Sequence, residues 1–313
     1  MFSYAIRRVF ATIPVMGVVA LFIFSLLYIA PGDPAAIIAG DQATAADIER
    51  IRASLGLDRP FIVRFADWVW HVLHGDLGTS IFTNLPVSHM IAQRIEPTLS
   101  LMSLTLILSL VVAIPMGVVA AWKSGTWIDR SLMVLAVLLF SVPVFVVGYL
   151  LAYVFALQLD WLPVQGYTPI ADGLWPWFQN LILPTLALGG VYIALIARIT
   201  RATMLEVLNQ DYVRTARAKG VDQRAILFLH ALKNAAVPIV TIVGIGFASL
   251  IGGSVITESV FAIPGLGRLV VDAILRRDYP IIQGVVLMFS FIYVLVNLAV
   301  DLLYTVFDPR IRY

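Results

Sequence analysis

The side chains able to move protons, attack bonds or hold metal are scattered rather than gathered in this sequence of 313 residues. His71 and His74, three apart, can share a helix face, but no third ligand accompanies them and no His-Glu-x-x-His run occurs, so no metal site is expected. His89 and His230 stand elsewhere, and the absence of cysteine removes thiolate chemistry. Two acids lie in apolar surroundings. Asp301 follows Asn297 by one helical turn within an apolar stretch, where an acid suits proton relay. A polar contact with Arg198 or Arg201, whose long side chains can snorkel, accounts for it more simply. Glu258, at the end of another apolar stretch, either faces a pathway or caps its helix, and the cap is the preferred reading. Gly265 and Gly267 lack dinucleotide-binding spacing and strand context. No nucleophile–base pair, carboxylate pair or Gly-x-x-x-x-Gly-Lys-Ser/Thr loop is present, so neither a catalytic residue nor a cofactor of the chain's own is expected.

The elements that carry these residues belong in a bilayer. Apolar residues make up 60% and charged ones only 13%, far from the balance of a soluble domain, and a net charge of +2 without a basic face gives no support for nucleic acid. A helix crosses the hydrocarbon core with about 20 apolar residues. Six stretches reach that length, near 9–30, 98–122, 131–158, 181–200, 236–257 and 281–305. The predicted class is an all-α membrane protein of about six spans. The first span follows Arg7 and Arg8; its apolar run is too long for a secretory signal and leads into Pro31-Gly32-Asp33-Pro34, so it is read as retained. Six spans put both termini on one side, and that side, with the 123–130 turn, Arg198 and the 201–235 loop, carries 13 of the 21 Lys and Arg. The positive-inside rule makes it cytoplasmic. Pro115, Pro143, Pro184 and Pro238 are expected to kink their spans, and Gly244, Gly246, Gly252 and Gly253 to allow close helix packing.

The organisation is thus a cytoplasmic N-terminus and first span (1–30), an extracytoplasmic segment (31–97), a core of five spans (98–305) and a cytoplasmic tail (306–313). The outer segment has helix signals of its own. Thr44 opens one helix that stops at Gly56, and Pro60 to His74 forms a second, ending at Gly75. The second carries Phe61, Phe65, Trp68, Trp70 and Leu73, which fits either a membrane-surface helix or a packed scaffold.

The most informative stretch is the basic cytoplasmic loop Arg201 to Ala235. Asp211 to Lys219 is helical and stops at Gly220; Asp222 then caps a second helix carrying Ile226, Leu227, Leu229, Leu232 and Ala236. Helix, glycine turn, helix makes a rigid knob, and the small Ala216, Ala218 and Gly220 invite close approach of another backbone. A partner is expected to dock there.

Tyr212-Val-Arg-Thr-Ala-Arg-Ala-Lys-Gly220 followed by His230-Ala-Leu-Lys-Asn234 resembles the coupling loop of ABC-importer permeases of the dipeptide, oligopeptide and nickel group. Arg214-Thr215-Ala216 stands where the general motif has Glu-Ala-Ala, and Gly220 is kept. The resemblance extends through Pro31–Pro34, Leu55–Pro60, Gly75–Ser80, Pro264–Gly267, Arg276–Pro280 and Asp308–Arg312. It implies a B-type permease of a bacterial inner membrane, working with a second related permease, two cytoplasmic ATPases that bind ATP and Mg, and an extracytoplasmic binding protein. The coupling residues it implies are Tyr212, Arg214, Thr215, Ala216, Ala218, Gly220, His230, Leu232 and Asn234; Glu258, Asn297 and Asp301 remain the pathway candidates. Dipeptides or short oligopeptides are the implied cargo, with nickel chelates, glutathione or sugars as alternatives and a proton-coupled secondary transporter as the rival class.

Overall fold

The computed structural model describes residues 2–29, 35–36, 44–54 and 58–307. Among these, regular structure is helical apart from one isolated bridge between Thr79 and Pro86. The helices are α1 (Phe2–Ile29), α2 (Ala45–Ser54), α3 (Phe61–Leu73), α4 (Val87–Trp122), α5 (Trp127–Ser141), α6 (Val144–Gln158), α7 (Leu174–Leu208), α8 (Asp211–Ala218), α9 (Gln223–Val260), α10 (Leu266–Arg276) and α11 (Tyr279–Phe307). Pro31–Pro34, Leu55–Leu57 with the Gly56 stop, and Asp308–Arg312 lie outside the described residues.

Among the described residues α4, α7, α9 and α11 are each long and apolar enough to cross a membrane. The expected third span is not one rod. It breaks into α5 and α6, bent by 98°, which together supply a fifth candidate. The cause is local: Pro143 excludes helical geometry at the preceding residue, and Val142 is extended at φ −91° and ψ 127°. Pro115, Pro184 and Pro238, by contrast, sit inside continuous helices. The expected first span lies in α1, a helix of 28 residues from Phe2 to Ile29. Spans two and four are longer: α7 has 35 residues, about 52 Å at 1.5 Å per residue, well beyond a hydrocarbon core of about 30 Å. Its ends therefore stand outside the apolar layer.

The chain divides into two compact units, Met1–Ala5 with Ile95–Arg268 and Leu295–Tyr313, and Ile6–Arg94 with Leu269–Val294. In the first, α7 is the central helix. Leu181, Leu188, Tyr192 and Ile196 are buried among Leu101 and Met102 of α4, Ala136 of α5 and Leu250 of α9. Helices meet closely where side chains are small. A Cβ on Gly117 would lie 2.6 Å from the Thr200 side chain. Gly244 faces Val300, Gly246 faces Tyr192 and Gly253 faces Leu188, while Gly252 has open space beside it, so three of the four glycines serve packing within this unit.

In the second unit, Phe61, Phe65 and Trp68 of α3 gather around Phe24 of α1 with ring centroids 5.4–5.5 Å apart. Ile62, Trp70 and Leu73 on its other side are exposed. The helix is thus a packed scaffold on one face and an apolar surface on the other. Ser80 donates to the buried carboxylate of Asp278 at 2.6 Å, and Gly284 lies against Val87, so the Gly75–Ser80 and Arg276–Pro280 motifs form one joint. His71 and His74 do not pair; the first faces Asp76 at 3.3 Å and the second lies against the Trp70 ring, tilted by 46° with centroids 4.3 Å apart.

Candidate functional site

The Arg201–Ala235 segment is built as the helix–turn–helix expected, with differences in what each residue does. α7 runs on to Leu208, so the first eight residues continue that helix. α8 follows and ends at Lys219, and Gly220 takes the left-handed conformation at φ +75° that a side chain disfavours. The Asp222 carboxylate accepts from the Arg224 N–H at 2.9 Å and starts α9, which carries on unbroken into the expected fifth span.

The knob is fused to the helices around it. Val213 of α8 is buried with Val118 and Ala121 of α4, Met204 and Leu208 of α7, and Ile226, Leu227, Ala231, Ala235 and Ile239 of α9. One apolar cluster therefore joins α8 to one end of three long helices. Ala216, expected on the docking face, packs half-buried on this cluster because it lies three residues after Val213 on the same side of α8. Ala216 thus has an internal contact within the knob. Tyr212, Arg214, Thr215, Ala218 and Gly220 are exposed. Gly220 has nothing within 4 Å of an added Cβ, so its glycine serves the backbone turn. Thr215 Oγ1 donates to the Asp211 carbonyl at 3.0 Å. Partial burial pushes the Tyr212 phenol up from its usual pKa, so it stays a neutral donor.

α9 opens with a π-helical turn over Ile226–Ala231. The wider turn resets the register of its faces. Ile226, Leu227 and Ala231 point inward, while Phe228 is 52% and Leu229 68% exposed. Leu229 therefore lies on the surface of the helix. Leu232 packs on the cluster, and Asn234 donates from its exposed side chain to the His230 carbonyl at 2.6 Å. Phe228 was not singled out by the sequence; period 3.6 places it nowhere in particular until the π turn is known.

Arg201 does not meet Asp301. Its guanidinium holds Asp129 of α5 by two bonds, 2.5 Å and 2.7 Å, and the Gly125 N–H adds a third at 3.0 Å. Arg198 lies over the Phe140 ring at 5.0 Å. Asp301 is half-buried and Asn297 exposed on α11.

Glu258 is fully buried and does more than cap α9. It accepts from the Thr98 hydroxyl at 2.6 Å and the Arg268 N–H at 3.0 Å, and Thr98 in turn accepts from the Leu266 N–H at 2.8 Å. This explains the glycines of Pro264–Gly267. A Cβ on Gly265 would collide with the Glu258 carboxyl, and one on Gly267 would lie 2.6 Å from the Val255 Cα. The turn closes over a carboxylate for which only glycine leaves room. Beside it, Glu96 accepts from the Tyr167 hydroxyl at 2.8 Å and the Ile170 N–H at 2.9 Å, tying the 159–173 segment to α4. Burial, ahead of the Glu96 contact, pushes Tyr167 up to about 12.

The family model "Binding-protein-dependent transport system inner membrane component" matches residues 113–313, and its N-terminal companion matches residues 1–102. A probable peptide ABC transporter permease protein of Sinorhizobium fredii is 58% identical over 310 residues, 99% of each chain. A putative peptide transport system permease protein of Brucella abortus is 47% identical, and the glutathione transport system permease protein of Salmonella typhimurium 44%, each over all of both chains. Among solved structures, an inward-facing MetNI methionine ABC transporter shares the fold with a TM-score of 0.58 at 17% identity, covering 70% of this chain and 96% of the other. The matched models and relatives together span the chain from end to end, and the chain belongs to the family of inner membrane components of binding-protein-dependent transport systems.

Proposed function

We propose that this chain is one permease subunit of an ABC importer for peptides, in which it forms half of the pathway beside a second, related permease. Two cytoplasmic ATPases supply the energy, and an extracytoplasmic binding protein delivers the cargo. The chain has no phosphate-binding loop, in keeping with an engine that resides in other subunits. Peptides as cargo are supported by the Sinorhizobium and Brucella relatives, both described as peptide permeases, and the glutathione permease handles a short peptide too.

The observation that carries the mechanism is the apolar cluster shared by α8, α4, α7 and α9. A force on α8 cannot move that helix alone, because packed interiors transmit displacement rather than absorb it. With α8 as the docking helix on the cytoplasmic side, ATP-driven closure of the ATPases shifts the near ends of three long helices together and switches access. Tyr212, Arg214, Thr215, Ala218, Gly220 and His230, joined by Phe228 and Leu229, form the contact surface. Ala216, Leu232 and Asn234 hold its shape.

The test is the transporter reconstituted with its ATPases and binding protein. Leu229→Glu is expected to leave assembly intact and abolish peptide-stimulated ATP hydrolysis. Full stimulation in that variant would sink the docking surface. Peptide uptake driven by a pH gradient in vesicles holding this chain without ATPases would favour the proton-coupled alternative, with Asp301 and Asn297 as its first candidates.

A further inference from the structure

The turn joining α4 to α5 places two indoles and two cations side by side on the surface. Trp122, Trp127 and Arg130 are exposed, Trp127 at 74%, and the Lys123 ammonium rests 4.1 Å over the Trp122 ring. Arg130 makes no ion pair among the described residues. The one acid of the turn, Asp129, points the other way: it is 3% exposed and its carboxylate is held chiefly by Arg201, with a weaker pull from Arg130. What faces outward is therefore cationic and aromatic, with the turn's acid buried beneath it. From Trp127 and Arg130 the same side of α5 continues through Val134, Val137 and Leu138, all exposed, at the three- and four-residue steps of one helix face.

An apolar stripe that ends in two indoles and two cations is complementary to a molecule with an apolar tail and an anionic head. A partner helix would match the stripe but not the cations, and a soluble partner would match the cations but not the stripe. We propose that this edge binds an anionic phospholipid. Lys123 and Arg130 hold its phosphate, Trp122 and Trp127 flank the glycerol region, and the acyl chains lie along Val134, Val137 and Leu138. The burial of Asp129 serves the site by withdrawing the acid of this turn from the headgroup.

The assembled transporter in phosphatidylcholine nanodiscs, doped equally with brominated phosphatidylglycerol or brominated phosphatidylcholine, tests this. The Trp127 signal is read as the difference between wild type and Trp127→Phe. Brominated phosphatidylglycerol is expected to quench it about threefold more, reflecting an anionic lipid held by two cations. Lys123→Gln with Arg130→Gln should erase the difference, and Lys123→Arg with Arg130→Lys should keep it, both eluting as the intact complex. Equal quenching by the two lipids would overturn the proposal, as unselective bilayer contact. Quenching by neither would overturn it by showing protein over the patch, and loss of the difference in inorganic phosphate would assign the site to free anions.

Discussion

Replacing Glu258 tests the reading that a buried carboxylate, rather than a pathway group, occupies the end of α9. Its two oxygens accept from Thr98 at 2.6 Å and from the Arg268 N–H at 3.0 Å, with no solvent exposure to compensate a loss. Glu258→Ala leaves both donors stranded, at about 1–3 kcal/mol each, and opens a void under Gly265 and Gly267. The central expectation is a loss of about 4 kcal/mol, or about 6 °C in the melting temperature of a chain this size. Glu258→Gln keeps one acceptor but aims an amide donor at the other position, so a single charge-assisted bond is lost, about 2 kcal/mol and about 3 °C. The assay is thermal unfolding of the detergent-purified complex by intrinsic fluorescence, at one scan rate because such transitions are commonly irreversible. Gly265→Ala should behave like Glu258→Ala, since its new methyl collides with the carboxyl. An Ala variant melting within about 1 °C of wild type, yet defective in transport, would refute the anchor and return Glu258 to the pathway.

Other expectations follow from the same geometry. Arg201→Ala strands the buried Asp129 charge and should cost about 3–5 kcal/mol, visible as lost expression of folded complex, whereas Asp129→Asn should cost less because Gly125 can still donate to it. Ala216→Glu should lower the yield of folded protein rather than uncouple selectively, since Ala216 faces the cluster of α8; a well-folded Ala216→Glu complex on size exclusion would contradict that placement. Gly220→Pro is incompatible with φ +75° and removes the N–H that donates to Arg217, so stimulated ATP hydrolysis should fall to the basal rate while the melting temperature changes little. Gly117→Val should separate α4 from α7, because even a Cβ comes 2.6 Å from Thr200, and is expected to abolish folded protein on a detergent gel-filtration trace.

Several features were legible because they are local. Gly220 and Asp222 announce a left-handed stop and an N-cap through their own backbone and side-chain chemistry, and the structure has both. The helix from Phe61 to Leu73 is bracketed by Pro60 and Gly75 for the same reason. Apolar runs of α4, α7, α9 and α11 reveal a membrane chain because each must satisfy its backbone alone. The break at Pro143 lies between: proline signals a disturbance, but whether a helix kinks or stops depends on what packs around it, and Pro115, Pro184 and Pro238 show the other outcome.

Composition, the long apolar helices and the Tyr212–Asn234 pattern were enough to determine an all-helical membrane chain of the importer-permease kind, since these follow from residue type and short spacing. The tertiary structure alone decided that Asp129 rather than Asp301 takes Arg201, that Glu258 and Thr98 support the Pro264–Gly267 turn, and that Ala216 faces inward while Phe228 and Leu229 face out. Asp129 and Arg201 stand 72 positions apart, Thr98 and Glu258 160. Hydropathy periodicity says nothing across such distances, and the π turn at Ile226–Ala231 shifts the register on which any inward or outward assignment rests.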